Sequence, residues 1–407
     1  MRIVVLSTFF KASVSYSLLT AALMRRLAEL PEVGGRQNVC HVGSNVEGPP
    51  CTIEGFPVFP LDTHGLGREG ADMRVIARAV LDYAPDLVIV IHDARMAQGL
   101  VEECAPVPVW FWMPVDSDPV SPLDLQAIKG AKAIAMSRFG LEQLARAGVE
   151  NRAYIPAPLD SAFCVDDDKQ LRAKVRAQMG GQGCEHLTLI VGRYVVGPRP
   201  DRKAYAQALR AWAEFAADKS GARLFCHVWN EGDGRTDGQI GVHMIAHSLG
   251  LAGRVRYPSN VTAECGASLE QMAQQYNGAD ALLHATAAEG FGLPIVEAQA
   301  CGTPVVCTRF TSMPELVRWG LAVKPLDVQW VHLVRSWLAW PDVHGTAAAL
   351  QALYDEWQAA GGRWPLARRR SVSAAVREEY GWDQVFDRCW TPLVQNLVND
   401  KAHSDIR

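Results

Sequence analysis

Residues 289–306 read EGFGLPIVEAQACGTPVV, with two carboxylates, Glu289 and Glu297, on either side of an apolar run relieved by glycine. An ionised carboxylate only accepts hydrogen bonds, so the vicinal hydroxyls of a sugar or a ribose are its natural partners. Between the two acids, Gly290 and Gly292 let the backbone approach a ligand with no Cβ in the way. Pro294 suits the first turn of a helix, where its missing N–H would be unpaired in any case, and Gly302 suits the far end. Such a helix offers backbone donors and partial positive charge at its N-terminus, a setting for a diphosphate. With Glu289 just before the loop and Glu297 expected in the first turn, the pattern fits a ligand with hydroxyls at both ends and phosphates in its middle. A nucleotide sugar has that shape.

The elements needed to position these groups are visible along the chain. Short apolar runs alternate with stretches of helical periodicity, the pattern of a parallel sheet covered on both faces. In the first half RIVVLS, LVIVIHD, VPVWFWM and AIAMS read as strands; in the second, LTLIVGR, ARLFCHVWN, VRYPS, ADALLHA and TPVVCT do so. The fold class expected is α/β, with two Rossmann-like domains facing a cleft. The polar, glycine-ending stretch VDDDKQLRAKVRAQMGGQGCEH reads as the linker. The domains expected are 1–165, 166–380, and a C-terminal amphipathic helix over 381–407 that packs back on the first. Ligands of open α/β sheets sit beyond the carboxyl ends of the strands, which directs attention to the loops there.

Bulk composition narrows the function classes. At 407 residues the chain exceeds what one core usually serves. Its 40 Lys and Arg against 44 Asp and Glu give a net charge of −4 and no electrostatic reason to expect tight nucleic-acid binding. The ten cysteines form no Cys-x-x-Cys pair, which argues against a structural metal and for reduced thiols. MRIVVLSTFF reads as a buried strand rather than a signal peptide, and no apolar run approaches the roughly 20 residues of a spanning helix. A cytoplasmic protein is expected, with peripheral contact at the inner face of a membrane as a variant. Trp382 and Trp390 in the tail read as packing residues. Arg25 and Arg26 on the first helix could face anionic lipid or nucleic acid, but a solvated face is the simpler reading.

The stretch EGFGLPIVEAQACGTPVV resembles the E-x7-E signature of retaining glycosyltransferases of family four, which have the two-Rossmann GT-B fold. VGRYVVGPRPDRKAYAQAL is similar to the strand-loop-helix that carries an Arg and a Lys in that family. SLEQMAQQYNGADALLHAT and AIAMSRFGLEQLARAGVENRAYIPAPLDSAF extend the likeness over roughly residues 85–320.

That resemblance implies roles. Glu289 would face the transferred sugar and Glu297 the ribose hydroxyls, while the backbone at Phe291, Gly292, Leu293, Pro294 and Ile295 would line the diphosphate. Arg193 and Lys203 would neutralise the leaving diphosphate, with Arg199 and Arg202 as alternatives to the lysine. His92 would lie near the sugar, and the loop from Tyr257 to Asn260 could meet the nucleobase. Asp116 and Asp118 could bind acceptor hydroxyls or simply make turns. The first loop, STFFKASVSYS, lacks the glycines many members have there, leaving Lys11, Ser13 and Ser15 as candidates. The activity implied is a metal-independent, retaining transfer from a nucleoside diphosphate sugar, UDP- or GDP-linked, to an acceptor hydroxyl in glycan or glycolipid biosynthesis, with no cofactor. Other acceptors, modified nucleic acid or a small molecule, stay open. So do a GT-B sugar-nucleotide epimerase and a non-catalytic sugar-nucleotide-binding protein.

Overall fold

The computed structural model describes residues 1–10, 15–44, 48–61, 73–195, 201–231, 237–259, 266–332 and 335–404. Two compact units emerge: residues 1–158 with 383–407, and residues 159–382. The divisions thus fall at Pro158 and Trp382, against expected boundaries at 165 and 380.

Among the described residues, the first unit is built on an eight-stranded sheet. Its strands are β1 (Ile3–Thr8), β2 (Val39–Ser44), β3 (Cys51–Ile53), β4 (Phe56–Leu61), β5 (Leu87–Ile91), β6 (Val109–Met113), β7 (Lys132–Ala135) and β8 (Arg152–Tyr154). Their order is β3-β4-β2-β1-β5-β6-β7-β8, with β3 antiparallel to β4 and the other pairs parallel. Every residue of β1, β5 and β6 is buried, as strands covered on both faces must be. The chain leaves β1 to one side and returns at β5 on the other, so the loops after these two strands flank the point where strand order reverses. The tail joins this unit: Trp390 is fully buried, edge-on to Trp112 at 5.1 Å, and continues into the helix Thr391–Ser404.

Among the described residues, the second unit holds a parallel six-stranded sheet of order β11-β10-β9-β12-β13-β14. The ranges are β9 (His186–Val195), β10 (Ala222–Glu231), β11 (Val255–Arg256), β12 (Ala281–His284), β13 (Val305–Thr308) and β14 (Gly320–Val323). Here the reversal lies between β9 and β12. A small antiparallel hairpin follows, β15 (Asp327–Val331) with β16 (Ser336–Trp340). Its Ala339 N–H donates to Ala287 O at 3.0 Å and braces the loop after β12.

One sequence expectation is corrected. The supposed linker contains the helix Lys169–Gln178, which is part of the second unit. Its start is fixed by Asp168, whose carboxylate accepts from the N–H groups of Gln170 and Leu171. Its Arg172 and Arg176 reach the buried Asp280 at 2.7 and 2.8 Å, a contact more than a hundred residues away that composition does not reveal. On the first helix, Arg25 pairs with Glu54 at 3.0 Å and Arg26 with Asp383 at 2.8 Å, ion pairs that reach solvent.

Gly320 opens β14 at φ 126°, and a Cβ there would stand 1.9 Å from the carbonyl oxygen of Val305 on β13. Strand separation cannot relieve that contact without loss of the ladder. Gly320→Ala is expected to lower stability by at least about 3 kcal/mol, read by urea denaturation, because overpacking adds to left-handed backbone strain.

Candidate active site

The loops after β9 and β12 leave their strands on either side of the reversal point and are zipped together. Ala287 N–H donates to Arg202 O at 2.8 Å, and the Arg202 guanidinium donates to Ala288 O at 2.6 Å. The first of these loops is shaped by Asp201. Its carboxylate accepts from the N–H of Lys203 at 3.1 Å and of Tyr205 at 2.7 Å, which starts the helix Tyr205–Phe215. The Tyr205 hydroxyl in turn donates to Gly192 O beside Arg193. Lys203 is thereby aimed inward.

Its target is Glu289. The Lys203 ammonium lies 2.5 Å from Glu289 Oε1, His284 Nε2 lies 3.0 Å from the same oxygen, and Arg202 lies 3.5 Å from Oε2. Glu289 is only 7% exposed. Burial alone would favour its neutral form, but Lys203, the His284 hydrogen bond and Arg202 outweigh it and hold the carboxyl well below the usual range. Burial keeps His284, at the end of β12, neutral. The loop after β13 fixes the Glu289 backbone. Thr311 Oγ1 accepts the Glu289 N–H at 3.0 Å, and Ser312 Oγ lies 2.8 Å from Glu289 O and 2.6 Å from Phe291 O. Arg193, on β9, is lowered to about 10 by burial and by the charge of Arg202.

The helix beyond the loop is Leu293–Ala300, with Gly292 at its N-cap at φ 108° and Pro294 in its first turn. Gly302, at φ 70°, ends it. Gly290, Phe291 and Gly292 are buried around the turn, with Leu293 and Pro294 half-buried and Ile295 buried. Glu297 is the fifth residue of the helix and therefore in its second turn, not the first as the spacing suggested. Its Oε2 accepts from the Tyr276 hydroxyl at 2.6 Å. Burial raises Glu297 to about 7, aided by the negative charge of Asp160 and opposed by the Tyr276 bond.

The remaining candidates are placed as follows. His92, in the first unit just after β5, accepts the Asp93 N–H on Nδ1 at 2.9 Å, so Nε2 carries the proton; its ring lies 4.9 Å from that of Tyr16. Burial pushes its pKa down, so the ring is neutral. Tyr257 stacks on His243 with centroids 3.6 Å apart and packs against the core of the second unit. Asp116 and Asp118 lie in the segment after β6. Lys11, Ser13, Arg199 and Asn260 lie outside the described residues. Sequence reasoning missed His284, Tyr276, Thr311 and Ser312. Only His284 carried a signal, a polar residue closing an apolar strand five positions before Glu289.

Residues 185–355 match the family described as Glycosyl transferases group 1. The D-inositol 3-phosphate glycosyltransferase of Segniliparus rotundus is 31% identical over 212 residues, 50% of this chain and 44% of that protein. The O-antigen chain mannosyltransferase B of Escherichia coli is 36% identical over 94 residues, 22% of this chain and 25% of that protein. The chain thus spans less than half the length of these curated relatives. Among solved structures, the sucrose-phosphate synthase of Thermosynechococcus elongatus superposes with a TM-score of 0.71 at 16% identity, covering 98% of this chain and all of that one. Anabaena HepE, solved in complex with UDP and glucose, gives 0.68 at 16% identity, covering 97% of this chain and 100% of that one.

Two outcomes test the electrostatics. Lys203→Met is expected to cost about 3 kcal/mol in urea denaturation, because it leaves a buried carboxylate under-compensated, whereas the longer, more exposed Arg202 contact is worth under about 1 kcal/mol. Glu297 binds a proton more tightly when folded, so its contribution to stability is full at low pH and lost as pH rises from the ordinary carboxyl range through about 7. Glu297→Gln should therefore raise Tm relative to wild type at pH 8, and the gain should shrink steadily as pH falls to 4.

The segment 185–355 therefore matches Glycosyl transferases group 1, on a fold of the GT-B type with two Rossmann-like domains.

Proposed function

We propose that the protein is a retaining glycosyltransferase that moves a sugar from a nucleoside diphosphate sugar to an acceptor hydroxyl. The observation that carries this reading is the ionised Glu289, held by Lys203, His284 and Arg202 beside the N-terminus of the helix Leu293–Ala300. An ammonium has three donors. Lys203 gives one of them to Glu289 and so brings its positive charge beside that carboxylate, where a phosphate oxygen of the donor would meet it. Arg193, Arg202 and the backbone at Gly292 to Ile295 supply further positive potential for a diphosphate.

In this scheme the bond from the sugar C1 to the diphosphate oxygen breaks as the acceptor oxygen attacks from the same face. The acceptor proton passes to the departing phosphate, so no protein nucleophile and no metal are needed. Negative charge grows on the diphosphate in the transition state, and fixed cations lower that barrier. Glu289 accepts hydroxyls of the transferred sugar and Glu297 those of the ribose. Neutral His92, protonated on Nε2, suits a hydrogen bond to a sugar oxygen. The relatives named for a mannosyltransferase and an inositol phosphate glycosyltransferase support an acceptor in glycan or glycolipid synthesis, and HepE, solved with UDP and glucose, supports a UDP-linked donor. A cytoplasmic site of action fits that chemistry.

Purified protein incubated with UDP-, GDP- and ADP-sugars should show thermal stabilisation and slow donor hydrolysis with one of them, unchanged by EDTA. Glu289→Gln should lower turnover on the order of 10²-fold while still binding the donor. The anomeric configuration of the product, read by NMR, should equal that of the donor. An inverted product would refute retention, and an epimerised nucleotide sugar with no glycosylated acceptor would refute transfer.

A further inference from the structure

The second unit carries a basic groove at the end of its sheet opposite the site above. The helix Lys169–Gln178 presents Lys169, Arg172 and Arg176 to it at helical spacing, Arg363 closes one side, and the turn at Gly181 to Gly183 forms the rim. The groove measures about 440 Å³, and no carboxylate lines it. Beneath it Asp280, immediately before β12, accepts from Arg172, Arg176 and the Leu187 N–H. One carboxylate is thus shared between two guanidinium groups. Arg363 is half-buried, and neither it nor Lys169 makes a hydrogen bond or ion pair among the described residues.

Four cations line the groove and only two of them meet a carboxylate there, so the groove has a net positive potential that favours an anion. Burial, with the charges of Arg176 and Arg363 working against the pull of Asp280, pushes Arg172 below the usual guanidinium range, whereas at Arg176 the pull of Asp280 outweighs burial and raises it. Lys169 and Arg176 are seven residues apart along a helix, about 10 Å. That span suits two neighbouring phosphates, with whose oxygens planar guanidinium groups pair well. The groove sits near Leu187 at the start of β9, roughly 20 Å along the strand from Arg193. It is therefore separate from the Glu289 loop.

We propose that this groove is a second anion site, which takes a ligand bearing two adjacent phosphate groups, either free or as the headgroup of a lipid. Lys169 and Arg363 supply its unshared charge, while Arg172 and Arg176 serve both the ligand and Asp280.

The test titrates inorganic pyrophosphate into the full chain by calorimetry and, separately, sediments the protein with phosphatidylcholine vesicles with and without cardiolipin, whose headgroup carries two phosphates. The comparison is the double variant Lys169→Gln with Arg363→Gln, whose unliganded Tm should match wild type because neither side chain bonds to the fold. The double variant is expected to lose one pyrophosphate site, or to weaken it at least tenfold. Variant-sensitive pyrophosphate binding without sedimentation assigns a free ligand, and variant-sensitive sedimentation with cardiolipin assigns a lipid. Wild-type and double-variant curves that coincide in both arms overturn the proposal. Because neither residue touches the Glu289 site, donor hydrolysis scores that reading independently.

Discussion

A lone ionised carboxylate taken out of water costs several kcal/mol, and Glu289 is almost fully out of water. What makes it tolerable is the convergence of Lys203, His284 and Arg202 on its two oxygens, and that convergence depends on the loops after β9 and β12. Asp201 bends the first loop so that the lysine points inward. Thr311 and Ser312 lock the backbone of the second from the loop after β13. Three loops are therefore tied to one charge. Any side chain that relaxes one of them leaves a buried ion short of partners.

Topology explains why these loops meet. In a parallel sheet whose strand order reverses, the chain departs in opposite directions from two adjacent strands, and their carboxyl ends open a crevice that no crossover helix fills. In the second unit those strands are β9 and β12, which carry Arg193 and His284 at or near their ends. The helix Leu293–Ala300 continues from the same crevice, with its N-terminus at the start of the turn. Gln299 pins that helix from within: its amide donates to Ile295 O and Leu316 O and accepts from the N–H groups of Arg318 and Trp319. A buried glutamine with all its capacity used makes the helix a rigid part of the site.

Much of this was legible in the sequence, for reasons that differ by element. Unbroken Val, Ile and Leu runs such as β1 and β5 announce parallel strands because both their faces must be buried. Pro294 and Gly302 announce the helix ends because of what their backbones can and cannot do. β2 carries no clear strand signal because His41 and Gly43 interrupt its apolar pattern, though both lie in the core. The helix Lys169–Gln178 reads as a linker in the sequence because its stability resides in one cap and in a distant aspartate. Partners such as Tyr276, Thr311 and Ser312 carry no local signature. Their hydroxyls become specific only once the loops around them have folded.

The two glutamates of the motif share a residue type and a short segment, yet their surroundings drive them apart. Glu289 faces cations and stays charged, whereas burial, aided by the charge of Asp160 and only partly offset by the Tyr276 hydrogen bond, raises Glu297 to about 7. A pair of acids separated in this way can do different work at one pH. The first is a permanent counter-charge that organises cations whether or not a ligand is bound. The second is poorly solvated as an anion, so its ionisation carries a cost in the free protein that hydrogen bonds donated to it would relieve. The asymmetry ties the first glutamate into the fold through its charge and leaves the second poised between its two protonation states.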